Sequence, residues 1–182
     1  MEQQTPMNLS IETFLEKFNE KMELLVDGTI FVGLVDANEL ESSTWTMLFN
    51  TAIFLVVEEF NKEDLKLSIA PEEPTGRGGY SDISIFSCDG KVKYFEIEHE
   101  NNPEWIVRKR TFIKNNLEKA VYNLSKSSSI SKIIITYYSN YYKRKELIED
   151  FKRFKNKRIK LDNKDLFLFL APNGFTKQFE LI

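Results

Sequence analysis

From Ser10 onward, the apolar residues Ile11, Phe14, Leu15, Phe18, Met22 and Leu25 recur at intervals of three and four. That is the spacing of one helix face, and the Ser10 hydroxyl suits an N-cap. Asp27-Gly28 ends this helix, and residues 29–35, apolar and partly β-branched, suit either a short strand or a packed connection. A second helix is expected over about residues 41–60, where Trp45, Leu48, Phe49, Ala52, Ile53, Val56 and Phe60 make a broad buried stripe. Residues 65–70 read as a short strand, and residues 71–79, with two prolines and three glycines, as a loop.

Two further strands are expected at residues 80–87 and 91–100, joined by Cys88-Asp89-Gly90-Lys91. The Asp-Gly pair favours a tight hairpin and therefore antiparallel pairing. Asn101-Asn102-Pro103 supplies an N-cap and a first-turn proline for a helix that buries Ile106, Phe112, Ile113, Leu117, Ala120, Val121 and Leu124, and three serines at 127–129 close it. Residues 130–138 are an apolar strand, 141–157 a basic helix, 166–171 another apolar strand, and 175–182 a terminal edge strand.

This order predicts an α/β fold, a mixed central sheet flanked by helices. The length of 182 residues and a hydrophobic fraction of 42 % suit a single domain, residues 1–182. Within it, residues 1–40 form an N-terminal helical extension, 41–138 the core, and 139–182 a C-terminal helix and strands. Cys88 is the only cysteine, which excludes an internal disulfide and any zinc site built from several thiolates. The first ten residues lack a signal-peptide pattern, and no run of about 18 apolar residues occurs, so a soluble, cytoplasmic protein with no membrane partner is expected.

The net charge of −3 averages two opposed regions. Residues 1–102 hold 7 Lys/Arg against 20 Asp/Glu, a net −13, whereas residues 103–160 hold 16 against 5, a net +11. Such asymmetry fits an acidic, cation-collecting site beside a basic surface for a polyanion, and it fits equally a set of solvated, lysine-rich helix faces.

The acids of residues 91–100 change the picture most. In an extended strand, Tyr94, Glu96, Glu98 and Glu100 share one face and Phe95, Ile97 and His99 the other. Carboxylates about 6.6 Å apart repel one another unless a base, water or a divalent cation screens them. Glutamates on an edge strand would need no such partner. The neighbours Ile83, Ile85, Tyr94, Phe95 and Ile97, however, place both hairpin strands inside, where unpaired carboxylates are expensive. A magnesium or manganese ion held by Asp82 and Glu98 would relieve the repulsion.

The segments Tyr80-Ser81-Asp82-Ile83-Ser84-Ile85-Phe86 and Tyr94-Phe95-Glu96-Ile97-Glu98-His99-Glu100, joined by a hairpin, resemble the second and third strands of the PD-(D/E)xK (restriction endonuclease-like) nuclease superfamily. The resemblance implies a core of helix, three-strand meander, helix and strand over residues 41–138. It also implies magnesium-dependent hydrolysis of phosphodiesters, with DNA a better expectation than RNA and a homodimer suited to double-strand cleavage. Asp82 takes the aspartate position, with Ser81 where proline often stands. The acidic motif has two registers, Glu96-Ile97-Glu98 and Glu98-His99-Glu100, and neither carries the usual lysine. Glu98 belongs to both registers. The catalytic candidates are thus Asp82, Glu96, Glu98 and Glu100, with Asp82 and Glu98 as metal ligands. Glu41 is added either as the first-helix acid of some members or merely as a partner of its own helix dipole.

A basic residue from the following helix, Arg108 or Lys114, is a candidate replacement for the missing lysine and a substrate contact, or simply part of a solvated helix face; Arg77 in its glycine-rich loop is a candidate phosphate clamp or merely part of a variable loop. His99, the sole histidine, should point away from the glutamate face, which favours a structural or partner-strand contact over general-base work. Tyr137, Tyr138, Tyr141 and Tyr142, followed by Lys143, Arg144, Lys145, Lys152, Arg153, Lys155, Lys157 and Arg158, mix rings and cations as a nucleic-acid surface would. Tyrosines capping the core, with lysines covering a helix flank, would look the same in sequence.

Overall fold

The computed structural model describes residues 9–27, 42–74, 80–100, 110–138, 142–157, 165–172 and 178–182. The first helix, α1 (Ile11–Asp27), starts where Ser10 Oγ accepts a hydrogen bond from the Thr13 amide at 3.1 Å, the predicted cap. Helix α2 (Ser42–Lys62) follows, and strands β1 (Leu67–Pro74), β2 (Tyr80–Ser87) and β3 (Lys93–Glu100) form an antiparallel meander. Helix α3 (Arg110–Leu124) leads to β4 (Ser131–Tyr138), which pairs parallel to β3. Helix α4 (Arg144–Lys157) leads to β5 (Leu166–Pro172), parallel to β4, and β6 (Glu180–Leu181) closes the far edge antiparallel to β5. The six strands lie in sequence order, an open mixed sheet with β1 and β6 at its edges. Among the described residues no helix is long and apolar enough to cross a membrane.

The sheet separates two apolar clusters. Odd-numbered strand residues such as Ile83, Ile85, Phe95, Ile97, Ile133, Ile135 and Phe169 pack with Phe14, Phe18 and Met22 of α1 and Phe49, Ile53 and Phe60 of α2. Even-numbered residues Ile134, Leu166, Leu168 and Leu170 pack instead with Leu117, Val121 and Leu124 of α3 and Leu147, Phe151 and Phe154 of α4. The alternation of side chains along each strand thereby assigns every residue to one helical layer.

Expected and observed elements differ in particular places. β1 runs through Pro74, so residues 71–74, read from sequence as loop, are strand. An edge strand tolerates prolines because its outer amides need no partner. α4 begins at Arg144, not at 141. The ambiguous segment 29–35 and the helix start at 101–109 lie outside the described residues. The hairpin is as expected, with Gly90 at φ 69° and Asp89 Oδ1 accepting from Ser87 Oγ at 2.6 Å and from the Lys91 amide at 3.1 Å.

Two asparagines extend backbone pairing where strands run out. Asn61 accepts from the Leu67 amide and donates to the Leu67 carbonyl. Asn19 does the same for Phe179, at 2.7 and 3.0 Å, fastening the approach to β6 onto α1. Lys17 and Lys21 of α1 both pair with Glu59 of α2, and these contacts hold the Glu59 carboxyl down at about 2.

Candidate functional site

β3 is an interior strand, hydrogen-bonded to β2 on one side and β4 on the other. The reading of its glutamates as edge-strand decoration therefore fails. Parity places Glu96, Glu98 and Glu100 on the α3/α4 side, where Ile134 and Leu168 mark the layer, and places His99 on the α1/α2 side against the Phe49 ring, 5.6 Å between centroids.

Asp82 stands where β2 and β3 part. Their ladder runs from Phe86↔Lys93 to Ile83↔Ile97 and stops, although both strands continue. Beyond it, the His99 amide donates to Asp82 Oδ2 at 2.7 Å, so a side chain occupies the place of a ladder acceptor. The backbone is irregular on both sides. Ser81 Oγ and Ser84 Oγ, which regular alternation would put on opposite faces, are 2.9 Å apart. Glu72, facing Asp82 across β1 between the pairs Pro71↔Ile83 and Glu73↔Ser81, has φ 52°. A non-glycine residue in that region carries strain, and such strain gathers at functional sites.

The carboxyls act on one another. Burial pushes Glu98 up to about 8, and the charges of Asp82 and then Glu100 add to the effect; Asn123, whose Nδ2 lies 3.5 Å from Glu98 Oε1, and Lys119 pull the other way. Glu100 is pushed up to about 7, again by burial first and by Asp82 second, with Lys119 opposing. The charge of Asp82 thus acts on both buried glutamates, and a cation bound among the three would relieve that repulsion. Carboxylate oxygens are the donors that a hard divalent ion takes. Among the described residues, no group of three or more His, Cys, Asp or Glu side chains closes to metal-holding geometry.

Glu96 is separate. It is fully buried with one oxygen 2.5 Å from Lys93 Nζ, and its Oε2 has no hydrogen-bond partner among the described residues. Lys93 also sits over the Phe86 ring. Of the two motif registers, Glu98-His99-Glu100 is the one whose acids interact with Asp82. Glu41, Arg77 and Arg108 lie outside the described residues. Lys114 is described, but the cation that acts on Glu98 and Glu100 is Lys119.

Lys119 and Asn123 went unremarked in the sequence. They lie four residues apart and therefore on one side of α3, Lys119 exposed and Asn123 half-buried.

His99 has a nearly inaccessible side chain, and burial pushes its imidazole down to about 4 despite the opposing charge of Asp82. The ring is therefore neutral at pH 7. Its Nδ1 lies 3.3 Å from Asp82 Oδ2, off the line of an N–H bond, so neither ring nitrogen makes a hydrogen bond here.

Several residues of the tyrosine and lysine segment make contacts within the fold, while Lys143, Lys145 and Lys152 are exposed. Tyr142 is buried and donates to Asp150 Oδ2 at 2.7 Å. Arg153 pairs with Asp150, Arg144 makes a two-pronged contact with Glu180, and Lys155 donates to the Leu166 carbonyl at 2.6 Å, its burial lowering its affinity for the proton. A groove of about 350 Å³ lies between α2 and β1, lined by Asn50, Thr51, Phe54, Ile69, Pro71 and Ile83, on the sheet face away from the glutamates.

The fold and this acidic centre define an α/β protein with a six-stranded mixed open sheet and charged groups buried under one helical layer. The chain matches no protein-family model, no curated protein and no solved structure.

Proposed function

We propose that this chain is a divalent-metal-dependent nuclease of the PD-(D/E)xK type, hydrolysing DNA phosphodiester bonds, with Asp82, Glu98 and Glu100 as its acidic centre. The observation that carries this reading is the charge of Asp82 acting on two buried carboxyls, Glu98 and Glu100, where β2 and β3 separate. The order α2-β1-β2-β3-α3-β4 supports it, being the helix, meander, helix and strand that the resemblance implies. Asp82 and Glu98 are the ligands of choice for magnesium or manganese, which when bound would polarise the phosphate and make a water acidic enough to attack.

The remaining roles fall to the chain's own residues. Lys119, on the helix over the acids, takes the part of the lysine missing from the strand and offsets negative charge developing at the phosphate. Asn123 orients Glu98. Glu96, tied to Lys93, holds the strand in place and does no chemistry.

The test is cleavage of supercoiled and linear DNA, and of RNA, in magnesium or manganese and in chelator. The wild-type chain is expected to cut DNA only with metal. Asp82→Ala and Glu98→Ala should abolish cutting, and Lys119→Ala should slow it by on the order of 100-fold. A second reading has one observation in its favour: Glu100 stands where the motif lysine belongs, as in a nuclease fold that retains binding and has lost chemistry. Salt-sensitive DNA binding without cleavage would establish that reading, and neither binding nor cleavage would defeat both.

A further inference from the structure

The one titratable group beside the acidic centre with no role so far is His99. Its side chain is 2 % exposed, its ring faces Phe49, and both ring nitrogens are buried without a hydrogen bond. A buried imidazole normally has at least one partner, because an unmatched polar nitrogen in an apolar layer costs on the order of 1–3 kcal/mol. The nearest candidate is Asp82 Oδ2, 3.3 Å from Nδ1, and the amide of this same residue already donates to that oxygen at 2.7 Å.

The amide of His99 thus holds Asp82 Oδ2, and Nδ1 of the same residue faces that oxygen from 3.3 Å without completing a hydrogen bond. The carboxylate is 46 % exposed, so its own packing does not fix its orientation. A neutral ring whose Nδ1 faces a carboxylate carries its proton on Nδ1, leaving Nε2 bare against the α1/α2 layer.

We propose that His99 is a positioning residue for Asp82: its main-chain amide holds Oδ2, and a small turn of the ring closes Nδ1–H onto the same oxygen, so that Oδ1 is presented toward Glu98 and Glu100. The proposal rests on the reading of Asp82 as a metal ligand. It explains why an imidazole stands on the apolar side of the sheet. A phenyl ring would fill the site beside Phe49 equally well but would offer the carboxylate nothing. Ligand-orienting hydrogen bonds of this kind typically change metal affinity by about 10- to 100-fold.

Because His99 is the only histidine in the chain, imidazole nitrogen NMR of the whole protein reports this ring without ambiguity. In metal-free protein at pH 7, the expected spectrum is that of a neutral ring protonated on Nδ1, against the Nε2–H form that free imidazole side chains favour. In Asp82→Ala the Nε2–H form should return. An Nε2–H ring in the wild type, or a tautomer indifferent to Asp82→Ala, would overturn the pairing. Manganese titration supplies the second readout. His99→Phe should weaken binding about tenfold, and His99→Asn, which keeps a donor, should restore part of it. Unchanged binding in His99→Phe would overturn the positioning role while leaving the nuclease reading intact. No manganese binding by the wild type, together with an Asp82-dependent tautomer, would defeat the nuclease reading and leave the pairing standing. Should His99→Phe fail to fold, the wild-type and Asp82→Ala spectra still decide the pairing.

Discussion

The two faces of the sheet are built differently. Toward α1 and α2 the buried strand residues are mostly apolar, with Phe14, Phe18, Phe49, Phe95 and Phe169 linked by ring contacts, and His99 is the buried titratable group among them. Toward α3 and α4 the apolar cluster is confined to β4 and β5, while β3 presents Glu96, Glu98 and Glu100. One face is made for stability. The other accepts a standing electrostatic cost, which a protein retains where a partner of opposite charge relieves it.

Shaving the apolar face should have the largest effect. Phe18→Ala leaves a cavity among buried rings and should lower the unfolding free energy by about 3–5 kcal/mol, read from urea denaturation. Phe151→Ala, on the other side, should cost as much, since the α4 layer is equally well packed away from β3.

Neutralising the acidic face should do the opposite. The Glu98 carboxyl is raised in the fold from 4.5 to about 8, so its unfavourable charge is absent below pH 4.5 and its cost builds as pH rises through 8. In chelator, Glu98→Gln should therefore be more stable than wild type at pH 8, by on the order of several kcal/mol, and indistinguishable from it at pH 4. Thermal unfolding across pH gives the comparison. A Glu98→Gln protein less stable than wild type at pH 8 would mean that Glu98 already has a cationic partner.

Lys119→Ala should raise Glu98 and Glu100 further, so the loss of stability that begins near pH 4.5 continues to higher pH and becomes deeper, with the plateau below pH 4.5 unaltered. The same melts measure it. The smallest effect is expected at the rim: Arg144→Ala breaks an exposed pair with Glu180 and should cost about 1 kcal/mol or less, diminishing in high salt.

Much of this architecture was readable in the chain. Strict alternation through Ile83, Ile85, Phe95 and Ile97, with Asp89-Gly90 between, defined the hairpin and assigned Glu98 and His99 to opposite faces. The three-and-four spacing from Ile11 to Leu25 defined α1. Local pattern failed where tertiary context decides. β1 crosses Pro71 and Pro74 because it is an edge, a fact no local window contains. Whether Tyr142 caps the core or lines a surface is open in the sequence, and α4 decides it by bringing Asp150 to its hydroxyl. Glu96 and Glu98 look equivalent in sequence. What separates them is that Lys93 turns back onto Glu96, while β2 leaves β3 just as Glu98 is reached. Lys119 and Asn123 become visible only once α3 is laid over β3.

The central claim is that Asp82, Glu98 and Glu100 form one cation-binding centre. Manganese binding to the chelator-stripped protein, followed by electron paramagnetic resonance at pH 8, tests it most directly. A single saturable site in the wild type, weakening as pH falls to 6 and absent from Asp82→Ala, Glu98→Gln double-substituted protein, is the predicted result. No saturable binding by the wild type, or the same binding in the substituted protein, would contradict it.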